Sequence, residues 1–202
     1  MGRVSDAKVR LMDAVRELIW SGSYGSTTID QICEKANVKK GSFYYFFDSK
    51  ADLAETAIAE EWERRRPELD SIFSPTLGPL ERLRKYCEFS YCFQREIQSK
   101  YGHVLGCPLF TLGAEVSTQE NRLQKRIQSI LEQKRKYFET AIRDAHAQDL
   151  IFAPDATAKA KMLFAYYQGL YTEARIQNSL DVLRDAVQGT YALLGVKEAV
   201  AV

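Results

Sequence analysis

The sequence predicts an all-α protein of nine helices, with an N-terminal three-helix headpiece followed by a larger helical part. Three observations carry that prediction. Apolar residues recur at three- and four-residue spacing along nearly the whole chain, no segment alternates strictly between apolar and polar, and Pro and Gly interrupt the pattern at helix-length intervals. Three short segments fill the first 47 residues, and mainly longer ones fill the rest.

Ser5 or Asp6 is expected to cap the first helix, which runs to about Ser21. Its buried stripe is Val9, Met12, Val15 and Ile19, widened by Leu11 and Leu18, and Gly22-Ser23-Tyr24-Gly25 ends it. Tyr24 is expected to plug the headpiece core. Thr28 with Gln31 forms a capping box for a short helix from Ile29, in which Ile29, Ile32, Cys33 and Ala36 share a face. Asn37 tolerates the left-handed conformation of a tight helix end, and Val38 returns to the core. The next helix, about Lys39 to Phe46, crosses the first in a helix-turn-helix.

That helix carries two lysines, a glycine, a serine and adjacent tyrosines. Phe43 with Phe46 or Phe47 can face inward, while Lys40, Gly41, Ser42, Tyr44 and Tyr45 gather on the opposite side. Such residues suit DNA: Lys40 brings a cation, Gly41 allows close backbone approach, and Ser42 can bond a phosphate or base edge. The tyrosines offer hydroxyls to phosphate and ring faces to sugars or thymine methyls. Asp48-Ser49 caps a further helix from Lys50, where first-turn amides and the Lys50 ammonium can hold one more phosphate.

The run Thr-Thr-Ile-x-x-Ile-Cys-x-x-Ala-x-Val-x-Lys-Gly-Ser-Phe-Tyr-x-x-Phe-x-Ser-Lys-x-x-Leu, from Thr27 to Leu53, resembles the DNA-binding signature of the tetracycline-repressor (TetR/AcrR) family of bacterial transcriptional regulators. Carried over residue by residue, the resemblance implies a DNA-binding set of Thr27, Thr28, Lys39, Lys40, Gly41, Ser42, Tyr44, Tyr45 and Lys50. Two positions depart from the family pattern: Lys39 stands where a small capping residue is usual, and Phe46 where His or Tyr is common. Neither removes a groove-facing group, so the departures bear on operator sequence.

Beyond the headpiece, a helix from Lys50 to about Asp70 is expected to connect two domains, residues 1–49 for DNA binding and 50–202 for effector binding and dimerisation. Arg64-Arg65-Arg66 reads as a solvated face or a set of salt-bridge partners, and Pro67 as a kink or stop. After the break at Ser74 to Pro79 comes an aromatic helix to Lys100, then a short helix from Pro108 to Ser117. A long helix covers Thr118 to Gln148, with Leu123, Ile127, Ile130, Leu131, Phe138, Ala141, Ile142 and Ala145 on one stripe. Asp155 caps the penultimate helix, a last helix spans Leu180 to Leu194, and the tail to Val202 is expected to fray.

The resemblance implies a homodimer through the last two helices, about 155–178 and 180–195, paired in a four-helix bundle. A physical argument points the same way: one headpiece offers a single recognition helix, whereas two related by a dyad read half-sites roughly 34 Å apart. The partners are therefore double-stranded operator DNA with a palindromic sequence, a second copy of the chain, and an unknown small-molecule effector. The effector pocket is expected at Phe89, Phe93, Phe110, Phe138, Tyr167 and Tyr171, sealed partly by Cys107 to Leu112. An ordinary aromatic core explains each of these rings as well. Gly106 to Glu115 and Gln168-Gly169 look like segments found in a subset of the family. Cys107, at a helix start before Pro108, is either a small buried thiol or a reactive sensor.

Composition bounds the alternatives. The 28 Lys and Arg against 27 Asp and Glu give a formal charge of +1, so a nucleic-acid surface must be local and nonspecific coating is disfavoured. No long apolar run and no signal-like N-terminus appear, which predicts no membrane partner and a cytoplasmic address. Cys33, Cys87, Cys92 and Cys107 lack CxxC spacing, and His103 and His146 are the only imidazoles, so no metal, cofactor or catalytic residue is expected. The competing readings are an all-α enzyme or carrier without a DNA role, for which no Glu-x-x-His pair, phosphate loop or Gly-x-Ser-x-Gly is present, and an architectural DNA binder without an effector.

Overall fold

Helix ends follow the capping chemistry closely in the computed structural model, which describes residues 2–118 and 120–197, with side chains from Asp6 onward. In chain order the helices are α1 (Gly2–Ser21), α2 (Ile29–Ala36), α3 (Lys40–Phe46), α4 (Lys50–Ile72), α5 (Pro79–Tyr101), α6 (Pro108–Val116), α7 (Asn121–Ala147), α8 (Ala156–Gln177), α9 (Asp181–Arg184) and α10 (Ala186–Leu194). No strand occurs among the described residues. The tail beyond Lys197, expected to fray, lies outside them.

Several expectations shift. Because α1 already begins at Gly2, neither Ser5 nor Asp6 caps it, and Asp6 instead accepts a bond from Arg10 one turn on, at 3.0 Å. Val9 is exposed, so the buried stripe of α1 is Leu11, Met12, Val15 and Ile19. Pro67 lies inside α4, on its exposed side, and the helix continues to Ile72. Among the described residues there are ten helices, one more than the nine expected, because the last one divides: Asp185, at φ −92° and ψ 11°, leaves helical geometry and separates α9 from α10.

The chain packs as two units, residues 1–65 with 108–131, and residues 66–107 with 132–202. This packing boundary differs from the 49/50 division expected from the sequence. In the first unit Leu11, Val15, Ile32, Phe43 and Leu53 are fully buried together with Leu112 and Val116 of α6 and Leu123 and Ile127 of α7. The 20-residue α1 with the short α2 and α3 has too little apolar surface to form a core by itself, and α4, α6 and the start of α7 supply the remainder.

The second unit has an aromatic core. Tyr86 meets Phe138 edge-to-face with ring centroids 4.7 Å apart, and Phe138 meets Phe73, Phe164 and Tyr167 at 5.1, 5.8 and 5.4 Å. Arg82 is buried here and ties down the turn before α5, donating to the Leu77 carbonyl at 2.9 Å, the Pro75 carbonyl at 3.2 Å and the Asp144 carboxylate at 2.5 Å.

Candidate nucleic-acid interface

The interface begins with the turn that sets α3 on α2. Thr28 Oγ1 accepts from the Gln31 amide at 3.2 Å, and Gln31 Oε1 accepts from the Thr28 amide at 2.8 Å, which completes the expected capping box. Asn37 takes the left-handed conformation, φ 51° and ψ 53°, and Val38 N–H closes onto the Cys33 carbonyl at 2.9 Å. Lys39 caps α3 with no side-chain bond, as its side chain dictates.

Within α3, Phe43 is the anchor: fully buried, with its ring 5.2 Å from Tyr44 and 6.1 Å from Phe47. The face it leaves free carries Tyr44 and Tyr45, 54% and 75% exposed, while Lys39, Lys40 and Gly41 are exposed and Ser42 is half-buried. A Cβ added at Gly41 would meet nothing within 4 Å. No internal packing therefore requires glycine there.

The cations are placed less uniformly. Lys40 Nζ pairs with Asp30 Oδ1 at 2.8 Å, both exposed, and that bond with the carboxylate charge holds the ammonium pKa above its usual value. Lys50 points elsewhere: its Nζ donates to the Tyr24 and Thr27 carbonyls at 2.7 and 2.8 Å and lies 4.1 Å from the centre of the Tyr24 ring. Burial lowers its pKa, opposed by the charges of Glu115 and Glu120. Thr27 is buried and its hydroxyl donates to the Ser23 carbonyl at 2.7 Å. Lys39, Lys40, Gly41, Ser42, Tyr44 and Tyr45 thus share α3 and its cap, whereas the polar groups of Thr27, Thr28 and Lys50 are engaged within the protein.

Two residues that sequence reasoning missed lock this region. Glu115 accepts from the amides of Tyr24 and Gly25 at 2.8 and 2.7 Å, and Glu120 accepts from the Tyr24 hydroxyl at 3.0 Å. Burial and then Glu120 raise the Tyr24 pKa. These contacts span about 90 residues of sequence, so no local spacing announces them. Ser49 caps α4 as expected, accepting from the Asp52 amide at 3.1 Å, and Asp52 reciprocates at the Asp48 amide at 3.2 Å.

In the second unit the expected effector residues divide. Phe138, Tyr167 and Tyr171 are buried with Tyr86. The Tyr167 hydroxyl lies 2.8 Å from Thr190 Oγ1 and 3.2 Å from Cys87 Sγ, while the Tyr171 hydroxyl donates to Ser90 Oγ at 2.5 Å and lies 3.2 Å from the Tyr86 hydroxyl. Burial pushes all three phenols and the Cys87 thiol up. Phe89 and Phe93 are half-buried and stack on each other, with Phe89 6.5 Å from Tyr86. Cys107 is buried at the end of the segment before α6, next to Gly106 at φ +66°. Phe110 belongs to the first unit and is 44% exposed.

Comparison with known proteins agrees with this geometry. Residues 11–57 match the model of the bacterial regulatory proteins of the tetR family, and residues 79–190 match the tetracyclin repressor-like C-terminal domain. The transcriptional regulator AcuR of Cereibacter sphaeroides is 28% identical over 178 residues, covering 86% of this chain and 78% of that protein. The transcriptional repressor KstR of Rhodococcus jostii is 33% identical over 81 residues, 39% of this chain and 36% of its own length. A regulatory protein TetR from Rhodobacter sphaeroides has a crystal structure that superposes with a TM-score of 0.81 at 26% identity, covering 93% of this chain and 98% of that one. With a helix-turn-helix at its start and a helical C-terminal domain matched over more than half its length, this chain is a transcriptional regulator and belongs to the TetR family.

Proposed function

We propose that this regulator binds a palindromic operator in double-stranded DNA as a homodimer, acts most directly as a repressor, and is released by a small effector bound in the second unit. The observation that carries the reading is the free face of α3, where exposed Tyr44 and Tyr45, Lys40 and the unobstructed Gly41 backbone stand on a helix anchored by buried Phe43. Phosphate contacts come from Lys39, Lys40, Ser42 and the tyrosine hydroxyls, with the rings against sugars and thymine methyls. Thr28 and Lys50 act through the turn: they fix the helix pair, and Lys50 reaches a phosphate only by leaving the Tyr24 and Thr27 carbonyls.

The dimer forms through α8 with α9 and α10, residues 155–178 and 180–195. Met162 and Ile176 of α8 are large apolar side chains left exposed, and a Cβ at Gly169 would meet nothing within 4 Å, so another helix can come close. Two recognition helices one helical turn of DNA apart then read both half-sites. Since α4 and α7 each contribute residues to both units, effector binding can bias the headpiece through either helix. No helix among the described residues is long and apolar enough to cross a membrane, which supports a cytoplasmic regulator.

The test is operator binding by fluorescence anisotropy, on fragments selected from genomic DNA, alongside sedimentation. Tyr44→Ala with Tyr45→Ala should lower operator affinity by about tenfold or more while the dimer persists. Undiminished affinity, or a monomer at working concentration, would refute the reading.

A further inference from the structure

Two buried glutamines in the second unit stand in opposite situations. Gln94 is 2% exposed, and both of its side-chain atoms are satisfied: Nε2 donates to the Gly106 carbonyl and Oε1 accepts from the Gly106 amide, each at 3.0 Å. Gln168 is equally buried, at 2%, and neither its Nε2 nor its Oε1 has a hydrogen-bond partner. An unpaired amide in such a place destabilises by about 1–3 kcal/mol, a cost that a leucine of similar size would avoid. The Tyr167 and Tyr171 hydroxyls of the same helix bond Thr190 and Ser90 and leave it unpaired.

A cation lies in the same region. Phe138 of α7 faces Phe164 and Tyr167 of α8, and one turn back along α7 is Lys134, half-buried, with Nζ 5.5 Å from the centre of the Tyr86 ring. The Tyr86 hydroxyl in turn lies 3.2 Å from that of Tyr171, three residues beyond Gln168 on α8, and the Lys134 charge opposes the burial that raises the Tyr171 pKa. Arg82, the deeply buried cation of this unit, pairs with Asp144, whereas no described carboxylate pairs with Lys134.

We infer that Lys134 and Gln168 form the head-group end of the effector site, and that the effector is a small monocarboxylate. This rests on the proposed effector-responsive regulator and names its ligand class. The ammonium supplies one positive charge, Gln168 Nε2 donates to a carboxylate oxygen, and the Tyr86 and Phe138 rings border the apolar remainder. A single cation among neutral donors matches one negative charge. Phosphate sites recruit more cation or a planar guanidinium fork, and a cationic ligand would meet Lys134 as a like charge.

The experiment uses the purified full-length protein with sodium salts of straight-chain acids from propanoate to octanoate and of benzoate, against the corresponding amides and sodium phosphate. Melting temperature and operator anisotropy are read in parallel. At least one acid should raise the melting temperature by about 3 °C or more at saturating concentration, with its amide and phosphate inert. Lys134→Met should abolish that shift, Lys134→Arg should retain part of it, and Gln168→Leu should raise the ligand-free melting temperature while weakening acid binding about tenfold. No shift with any acid, equal binding of the amide, or undiminished acid binding by folded Lys134→Met and Gln168→Leu variants would overturn the assignment. Operator release by an amide alone overturns the carboxylate class and leaves the effector reading standing. Lys134-dependent acid binding that never alters operator affinity supports the site and removes the effector reading.

Discussion

Tyrosine is placed in opposite ways in the two units. On α3, Tyr44 and Tyr45 are exposed, with ring contacts to their neighbours Phe43 and Phe46. On α5 and α8, Tyr86, Tyr167 and Tyr171 are buried, and each hydroxyl has a partner. A large amphipathic side chain left exposed gives up apolar burial worth about 1.5–3 kcal/mol, so the first arrangement stabilises nothing in the isolated chain. The second is held by packing and hydrogen bonds. The contrast teaches that the α3 face is arranged for something outside the protein, while the tyrosines of the second unit are part of its own interior.

The largest effect expected from this contrast is at the anchor beneath the exposed face. Phe43→Ala should destabilise the first unit by about 3–5 kcal/mol, because a fully buried ring leaves a cavity, and operator binding should fall with the folded fraction. Tyr45→Ala on the same helix should leave stability within about 0.5 kcal/mol and reduce operator affinity alone. Chemical denaturation and anisotropy on the two variants separate these outcomes. Equal loss of stability at both positions would dissolve the contrast.

A smaller effect is expected at Gly106. Its φ of +66° disfavours any L side chain, and an added Cβ would stand 3.0 Å from the Tyr171 carbonyl oxygen, so Gly106→Ala should cost about 1–3 kcal/mol in thermal or urea unfolding. Smaller still, Tyr167→Phe should cost about 1 kcal/mol by removing the bond to Thr190, whereas Tyr45→Phe should cost nothing measurable. A neutral Tyr167→Phe would mean that the buried hydroxyls contribute no stability.

Local features were legible in the sequence and long-range ones were not. Thr28, Gln31, Asn37, Ser49 and Asp155 act within a few residues of themselves, and each caps or ends its helix as expected. The inward turn of Lys50 depends on Tyr24 and Thr27 carbonyls more than twenty residues away, and the locking of Tyr24 depends on Glu115 and Glu120. The membership of α6 in the first unit has the same origin: the sequence predicts that the Cys107 to Leu112 segment seals the effector pocket, whereas Leu112 and Val116 are buried with the headpiece core. For the proposed effector site, aromatic spacing pointed to Phe138, Tyr167 and Tyr171. It gave no hint of Gln168, whose lack of hydrogen-bond partners only three-dimensional packing reveals.

Between the two extremes of exposure lies Glu61 of α4, whose carboxylate gathers three arginines. Arg16 Nη1 and Arg64 Nη2 each donate to Oε2 at 2.6 Å, and Arg65 donates to Oε1, so two members of the basic triplet are ion-pair partners. Burial by itself pushes this carboxyl up, but the Arg64 and Arg65 hydrogen bonds and the Arg65 and Arg16 charges outweigh it, and the net pKa lies below the usual value. With the folded pKa below the unfolded one, the linked stability is fully present above the unfolded value of about 4.3 and is lost as pH falls through the folded value. Because the cluster is partly solvent-screened, Glu61→Gln should lower stability by only about 1 kcal/mol at neutral pH. The gap between variant and parent in urea titrations should then close as the pH is taken from about 5 to 3. A gap that stays constant over that range would place the contribution of Glu61 in packing of its methylene groups, and the arginine cluster would then join the exposed face of α3 as a feature that leaves stability unchanged.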